Sequence, residues 1–247
     1  MNGKVVLVVG GAGSIGAETA HQFAAQGARV LITYRDASNE AAGATATLAS
    51  LAGGGHATFP ADVARTSTLE ALRDEIGRRF GRLDVLVNAA GFTKAVPHAD
   101  LDALDDDLID RMFAVNWRGQ FATIRSLAPL LKASGDGLVV SISSIAGTNG
   151  IGSSIAYCAA KAGIDVMTKS LARVLAPDVR VLAVAPGVVD TGFVLGRSSD
   201  FNAKTSATTP LKRIARAEDI ASAILACATH LKFATGTTIV VDGGRSL

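Results

Sequence analysis

Short, continuously apolar runs alternate along the chain with longer stretches in which apolar residues recur at helical spacing. Continuous rather than alternating apolar runs are typical of strands that are covered on both faces. The runs predict strands over Val5–Val9, Arg29–Tyr34, Ala57–Pro60, Leu83–Val87, Leu138–Ser143, Arg180–Ala185 and Thr237–Val241. The clearest helical stretches are Ile15–Gln26, Thr68–Phe80, Leu108–Leu131, Ala156–Leu175 and Glu218–Thr229.

This alternation predicts an α/β fold, a single domain over residues 1–247. We expect a Rossmann-type, doubly wound parallel sheet of about seven strands with helices on both faces. Ligands of such sheets bind at the carboxyl ends of the strands. The stretch 198–209 is rich in Ser, Thr, Asn and Ala and is interpreted as a loop. It is either plain surface or part of a substrate lid over about 190–210.

Composition excludes several classes of function. The net charge of +2 comes from 24 Lys and Arg scattered among 22 acids, so no basic patch for nucleic acid is expected. No apolar run approaches the ~20 residues of a membrane span, and no membrane partner is expected. Cys158 and Cys227 are expected to be reduced and buried, and we expect a soluble, cytoplasmic protein. No metal site is predicted, because no cysteine or acid stands at ligand spacing from His21, His56, His98 or His230.

Three glycines recur every third residue where the first strand gives way to the first helix: Gly10, Gly13 and Gly16. One glycine permits the tight turn, another lets the backbone approach a pyrophosphate, and the last lets the helix pack close to the sheet. The helix then starts at Ser14 and Ile15, and its free amides can receive phosphates. The turn therefore predicts dinucleotide binding rather than a tight turn without a ligand.

Tyr157 and Lys161 are four residues apart in a predicted helix, so their side chains share one face. A phenol of pKa ~10 is mostly protonated at neutral pH. A fixed positive charge nearby favours the phenolate and brings the pKa toward the range of an acid–base catalyst. Taken alone, the two residues could equally be a surface pair.

The rest of the chain resembles the classical short-chain dehydrogenase/reductase family over essentially its whole length. The Tyr-x-x-x-Lys motif of that family matches Tyr157 and Lys161, its serine falls on Ser144, and its asparagine falls on Asn116. The remaining motif positions that match residues expected to contact a cofactor are Asn88, Ala89, Gly91, Asp62, Val63, Pro186, Gly187, Val189 and Thr191.

The resemblance implies an oxidoreductase that moves a hydride between a nicotinamide dinucleotide and a ketone or secondary alcohol. Ser144 would hydrogen-bond the substrate oxygen, and Tyr157 would give that oxygen a proton in reduction or take one in oxidation. Lys161 would hold the nicotinamide ribose and lower the pKa of the tyrosine. Asn116 would position a water that relays protons to solvent.

The chain departs from the family pattern at three positions. Val9 stands where a threonine usually precedes the first glycine, and Ser14 stands where the middle glycine is usual. Leu182 occupies a position where asparagine is frequent. None of the three belongs to the catalytic four, so only details of the turn are affected.

The end of the second strand bears on the choice of cofactor. An enzyme that selects NAD usually has an acid there, whereas this chain has Tyr34 and then Arg35. A guanidinium can clamp a 2′-phosphate with two parallel hydrogen bonds, and Ser38 and Asn39 could add neutral donors. Arg35 could instead pair with Asp36. The sequence favours NADP(H), with NAD(H) as the alternative.

Substrate and assembly are less defined. Apolar residues flank the expected substrate pocket and indicate a largely apolar, uncharged ligand: Ile145, Ile151, Val189, Phe193, Val194 and Leu195. A 3-oxoacyl thioester reductase stays open, although the chain has Asp136 and Asp178 where relatives acting on carrier proteins tend to be basic. A non-catalytic dinucleotide sensor or scaffold is disfavoured, since it would be expected to lose the catalytic residues. The resemblance also implies a homo-oligomer, a tetramer.

Overall fold

The computed structural model describes residues 1–35, 40–194 and 199–247. In these ranges the strands are β1 Val5–Val9, β2 Arg29–Tyr34, β3 Ala57–Pro60, β4 Val85–Asn88, β5 Gly137–Ile142, β6 Val179–Pro186 and β7 Thr238–Val241. They form one sheet in the order β3-β2-β1-β4-β5-β6-β7, and every neighbouring pair is parallel. The predicted fold class is confirmed.

Helices cover both faces of the sheet. Their bounds are α1 Ser14–Ala25, α2 Glu40–Ser50, α3 Thr66–Phe80, α4 Asp106–Phe113, α5 Gly119–Lys132, α6 Ala146–Asn149, α7 Ile155–Leu175, α8 Phe201–Thr208 and α9 Ala217–Thr229. Helices α3, α5 and α7 share one apolar core with the sheet, whereas α1, α2 and α9 share the other. Two separate cores thus hold the sheet between them.

Strand β1 shows why the strands are continuously apolar. Its Val5, Leu7 and Val9 belong to the core on one face, while Val6 and Val8 belong to the core on the other. All five side chains are at most 3% exposed. Because successive side chains of a strand point to opposite faces, a strand buried on both faces must be apolar at every position.

Most predicted boundaries agree with the structure to within two residues. The predicted helix 108–131 is continuous in space, but a π-helical turn, Ala114–Arg118, joins α4 to α5. Helices α2, α6 and α8 were not among the predicted helices. The interpretation of 198–209 as a loop is wrong for residues 201–208, which form α8. That helix is polar and buries only Thr205, so it lacks the apolar stripe on which such a prediction depends.

The next observations concern the two cysteines, the helix lengths and the grouping of potential metal ligands. Cys158 and Cys227 are both buried and free, as expected. In the described ranges, no helix combines the length and apolar character that crossing a bilayer requires. The same residues contain no group of three or more His, Cys, Asp and Glu side chains placed to hold a metal ion.

Candidate active site

A cleft of about 1120 Å³ opens at the carboxyl ends of the strands. The connections that follow β1, β4, β5 and β6 meet there, as expected for a parallel sheet of this topology. Three of the predicted catalytic residues line it, namely Ser144, Tyr157 and Lys161. The predicted cofactor residues that line it are Gly13, Ser14, Ile15, Gly16, Ala89, Gly91, Pro186, Gly187, Val189 and Thr191.

The turn between β1 and α1 has glycines at positions where neighbouring main chain leaves no room for a side chain. Gly10 has a φ of +83°, and a Cβ there would lie 2.7 Å from the main-chain nitrogen of Ala90. A Cβ on Gly16 would collide with the carbonyl oxygen of Gly10. Gly13 is the N-cap of α1 and supplies no side-chain acceptor, so the first amides of the helix at the cleft have no cap. Uncapped amides at a helix N-terminus suit the diphosphate of a dinucleotide.

A threonine of β2 steadies this turn. The Gly10 amide donates to Oγ1 of Thr33 at 3.2 Å, and Thr33 is only 2% exposed. The turn therefore has a hydroxyl partner although Val9 has replaced the threonine usual before the first glycine. Thr33 was not among the predicted site residues; its signal in the sequence is a single polar residue inside the apolar strand 29–34.

Tyr157 lies in the first turn of α7. Ser154 is the N-cap of that helix, and its Oγ accepts a hydrogen bond from the Tyr157 amide at 3.2 Å. The positive end of the helix dipole favours an anionic phenolate at this position. The Phe193 ring lies 6.4 Å from the tyrosine ring, between centroids, and gives one side of the phenol an apolar neighbour. Ser154 was missed in the sequence, although Ser at an N-cap is a recognisable signal.

Lys161 is buried beside the tyrosine. Its Nζ lies 5.6 Å from the centroid of the Tyr157 ring and donates to the Ile142 carbonyl at 2.6 Å. Burial lowers the pKa of this lysine from 10.5 to about 8, and the negative charge of Asp165 opposes that shift. The ammonium is therefore held close to the phenol in a place where its charge is weakly screened.

Ser144 follows β5, in a segment that is tied to β6. The Ser143 amide donates to the Val184 carbonyl at 2.8 Å, and the Ile145 amide donates to the Pro186 carbonyl at 3.1 Å. Oγ of Ser144 accepts from the Ala146 amide at 3.2 Å. That bond uses a lone pair of the hydroxyl and leaves its hydrogen to donate into the cleft.

Asn116 lies in the π-helical turn and is fully buried. Its Oδ1 accepts from the Phe92 amide at 2.9 Å, and its Nδ2 donates to the Phe92 carbonyl at 2.8 Å and to Sδ of Met112 at 3.0 Å. The side chain clamps the segment after β4, a wall of the cleft, and does not line the cleft itself. The side-chain amide of Asn116 is thus already occupied by Phe92 and Met112, and the structure does not bring it to the cleft as the sequence predicted.

Arg35 is exposed and paired with Glu40, at the start of α2. The Arg35 amide donates to Oε2 at 3.0 Å, and its Nε donates to Oε1 at 2.9 Å. This hydrogen bonding raises the pKa of the arginine. The sequence offered Asp36 as a possible partner, whereas the partner in the described residues is Glu40. Asp36, Ser38 and Asn39 lie outside the described residues.

Like Gly10 and Arg35, three further predicted cofactor residues lie near the same edge of the sheet without lining the cleft. Asp62 follows β3 and forms an ion pair with Arg65 at 3.3 Å. Val63 is buried at 7% exposure. Asn88 ends β4, and its Nδ2 donates weakly to Oγ of Ser141 at 3.5 Å.

The predicted substrate side of the cleft is largely apolar. Ile145, Ile151, Val189, Phe193 and Val194 all line it, whereas Leu195 lies outside the described residues. Phe201 and Thr208, within the segment interpreted as surface or lid, also line the cleft, as does Arg245, which was not among the predicted site residues. Arg245 has no local signal in the sequence, since the turn that follows β7 approaches the cleft only in the folded chain.

Comparisons with known proteins identify the family of this chain. A family model described as enoyl-(acyl carrier protein) reductase matches residues 10–246. The chain is 38% identical to a protein of Streptomyces violaceoruber named as a ketoacyl reductase of the granaticin polyketide synthase, over 98% of this chain and 96% of that protein. It is 37% identical to the cis-4-hydroxycyclohexanecarboxylate dehydrogenase of Sinomonas cyclohexanicum, with coverage of 98% and 96%.

Solved structures of this family have the same fold. A short-chain dehydrogenase/reductase of the glucose/ribitol dehydrogenase type from Brucella melitensis superposes with a TM-score of 0.89 at 31% identity. The match covers 99% of this chain and 97% of that one. The chain is therefore an oxidoreductase that belongs to the short-chain dehydrogenase/reductase family.

Proposed function

We propose that this protein is an NADP(H)-dependent reductase of ketones, or dehydrogenase of secondary alcohols, in which Tyr157 is the general acid/base. The observation that carries the proposal is that Ser144, Tyr157 and Lys161 line one cleft with the uncapped first turn of α1. Relatives named as dehydrogenases of hydroxylated compounds, such as D-threitol, support this substrate class.

The residues of the cleft divide the chemistry among them. A nicotinamide dinucleotide held along the glycine turn and beside Pro186 and Gly187 would supply or accept the hydride. In reduction the Ser144 hydroxyl donates to the carbonyl oxygen, and the Tyr157 phenol gives that oxygen a proton. The Lys161 ammonium stabilises the phenolate that is left. Oxidation of the alcohol runs through the same groups in reverse.

A panel of ketones and secondary alcohols, each assayed with both nicotinamide cofactors, tests the proposed function. We expect turnover of at least one apolar ketone, followed by the absorbance of the reduced nicotinamide. Cofactor binding measured in parallel separates the alternatives. Tight binding of NADPH without turnover of any compound in the panel would instead indicate a dinucleotide-binding scaffold or sensor.

The preference for NADP(H) rests on Arg35. Arg35→Ala is expected to lower the ratio of kcat/KM for NADPH over NADH by about 10–100-fold, because a charge-assisted contact contributes ~1.5–3 kcal/mol. Glu40→Gln is expected to raise the same ratio, since it removes the negative charge that now competes with a phosphate for the guanidinium. Steady-state kinetics with both cofactors measure each ratio.

Arg73→Ala serves as the control for that experiment. Arg73 is a partly exposed arginine of α3 and pairs with Asp74. Arg73→Ala therefore lowers the net charge by the same amount as Arg35→Ala but leaves the end of β2 unchanged. A wild-type enzyme that prefers NADH, or an Arg35→Ala variant with an unchanged ratio, would show that Arg35 does not select the cofactor.

Reduction of a 3-oxoacyl thioester is the second candidate, because one relative is named as a ketoacyl reductase. Against a carrier-bound substrate stand Asp136 and Asp178 at positions where basic residues would be expected. Comparing a carrier-bound 3-oxoacyl chain with its small thioester analogue distinguishes the cases. A large preference for the carrier-bound chain would favour this candidate, and equal kcat/KM values would dismiss a carrier-protein partner.

We also propose a homotetramer. Helix α7 exposes 62% of Val166 and 68% of Val174, and the edge strand β7 exposes 53% of Val240. Apolar side chains on a long helix and beside an unpaired strand edge are suited to burial by a second copy. Light scattering at micromolar concentration is expected to give four times the 25.2 kDa of one chain. A monomeric mass would contradict this.

The lid over about 190–210 and the cytoplasmic location remain our proposals. The lid is supported by Phe193, Val194, Phe201 and Thr208, which line the cleft from this segment. In that position the segment would contact a substrate directly.

A further inference from the structure

The described residues that line the cleft carry two positive charges and no negative charge. Among the described residues that line it, the charged ones are Lys161 and Arg245, and none is Asp or Glu. The proposed reaction uses the charge of Lys161 beside Tyr157. It does not involve Arg245, which follows the edge strand β7 and lines the cleft from there.

Arg245 is held in place by its surroundings. The Asp242 carboxylate accepts from the amides of Gly244 and Ser246, each at 2.8 Å, and so fixes the turn in which Arg245 lies. Nη1 of the arginine donates to Oγ1 of Thr208 at 3.1 Å, at the end of α8. The guanidinium is therefore fixed against one wall of the cleft rather than free in solvent.

Among the described residues, the partners of this guanidinium are hydroxyls and not acids. Across the ranges 1–35, 40–194 and 199–247, its hydrogen bonds go to the hydroxyls of Thr208 and Thr209, and no carboxylate side chain pairs with it. Arg35 and Arg213, in contrast, each pair with an acid. A guanidinium has five donors, and most of those on Arg245 are left for a ligand. A half-buried cation with unused donors is suited to a carboxylate.

We propose that Arg245 binds a carboxylate of the substrate, so that the enzyme acts on oxo acids and hydroxy acids. This inference rests on the proposed function and names its substrate class. The apolar side chains of the cleft would hold the body of the substrate, with Ser144 and Tyr157 at its reacting oxygen and Arg245 at its acid group. It revises the expectation of an uncharged ligand drawn from the sequence.

A matched pair of substrates tests this assignment. With 4-oxocyclohexanecarboxylate and its methyl ester, the wild-type enzyme is expected to show a kcat/KM about 10–100-fold higher for the acid, the range of one charge-assisted contact. Arg245→Met is expected to abolish that preference while the ester is reduced at nearly the wild-type rate. Arg245→Lys is expected to keep part of it, because the charge remains but the planar fork is lost.

Arg173→Met is the control, since Arg173 is exposed near the end of α7 and does not line the cleft. It is expected to keep the preference for the acid. Equal losses on acid and ester in Arg245→Met would overturn the proposal. A rise in the KM for NADPH with an unchanged acid preference would also overturn it, because Arg245 would then belong to the cofactor site.

A binding experiment separates this inference from the proposed function. Cyclohexanecarboxylate has no carbonyl or alcohol to react, and calorimetry is expected to show that wild type binds it and Arg245→Met does not. Binding that depends on Arg245 supports the site even if no ketone is turned over. If the enzyme reduces ketones but wild type and Arg245→Met bind cyclohexanecarboxylate equally well, this inference is wrong and the proposed function is still supported.

Discussion

Tyr157→Phe is expected to lower kcat for ketone reduction by about 10²–10⁴-fold, the usual loss when one acid–base group is removed. The change deletes only the phenolic oxygen, so the ring keeps its contact with Phe193, and the Ser154 cap on the Tyr157 amide is untouched. The proton that neutralises the substrate oxygen then has no donor at this position.

Cofactor affinity is the internal control for this variant. The dissociation constant for NADPH, measured by fluorescence titration, should change little, because the phosphate-binding turn after β1 is unaltered. A variant that kept more than a tenth of the wild-type kcat would show that another group supplies the proton. A loss of cofactor binding equal to the loss of kcat would show that Tyr157 acts in binding and not in proton transfer.

Lys161→Met is expected to have two opposite effects. Activity should fall about 10²-fold or more, since the charge that favours the phenolate is lost. Stability at pH 7 should rise by about 2 kcal/mol. The lowered pKa means that the buried ammonium costs the folded state about 3 kcal/mol. Loss of the hydrogen bond to the Ile142 carbonyl offsets about 1 kcal/mol of that gain.

The pH dependence follows from the direction of the shift. The folded-state pKa of Lys161 is about 8 against an ordinary 10.5, so between these values the unfolded chain holds a proton that the folded chain has released. Stability of the wild type should therefore rise with pH across this window, and the cost of the charge should be present in full below it.

Urea denaturation of both proteins at pH 7 and at pH 10 measures this difference. The advantage of Lys161→Met over wild type should shrink as the pH rises, because the wild-type lysine is then neutral in the folded state. An advantage that stays constant with pH would show that the stabilisation comes from packing and not from removal of a buried charge.

The strands and the glycine turn were predictable because their causes are local. A strand between two helical layers must be apolar at every position, and β1 meets that condition over Val5–Val9. A turn that excludes side chains requires glycine, and Gly10 and Gly16 show it directly. Helix α8 could not be predicted in the same way, because its sequence is polar and Thr205 is its only buried residue.

The site was only partly predictable for a related reason. The spacing of Tyr157 and Lys161 along one helix indicated their proximity, but the contacts of other residues follow no helical or strand spacing. Asn116 contacts Phe92 through the π-helical turn, and Arg35 contacts Glu40 across the start of the next helix. Arg245 reaches the cleft only because the last turn packs on the end of α8. The periodicity of apolar residues in the sequence cannot predict side-chain contacts such as these three.

The π-helical turn joins α4 to α5, two helices that bury their apolar faces in different hydrophobic clusters. Before it, Leu108 and Met112 of α4 are buried in a small cluster with residues of α7. After it, Leu127 and Leu131 of α5 are buried in the main core beneath the sheet. Each residue of an α-helix advances the helix face by about 100°, so losing one residue from this turn would rotate one of the two faces into solvent. The number of residues between the two buried faces is therefore fixed. Insertions should be tolerated in the loops that flank α4 and α5 but not within the helical segment.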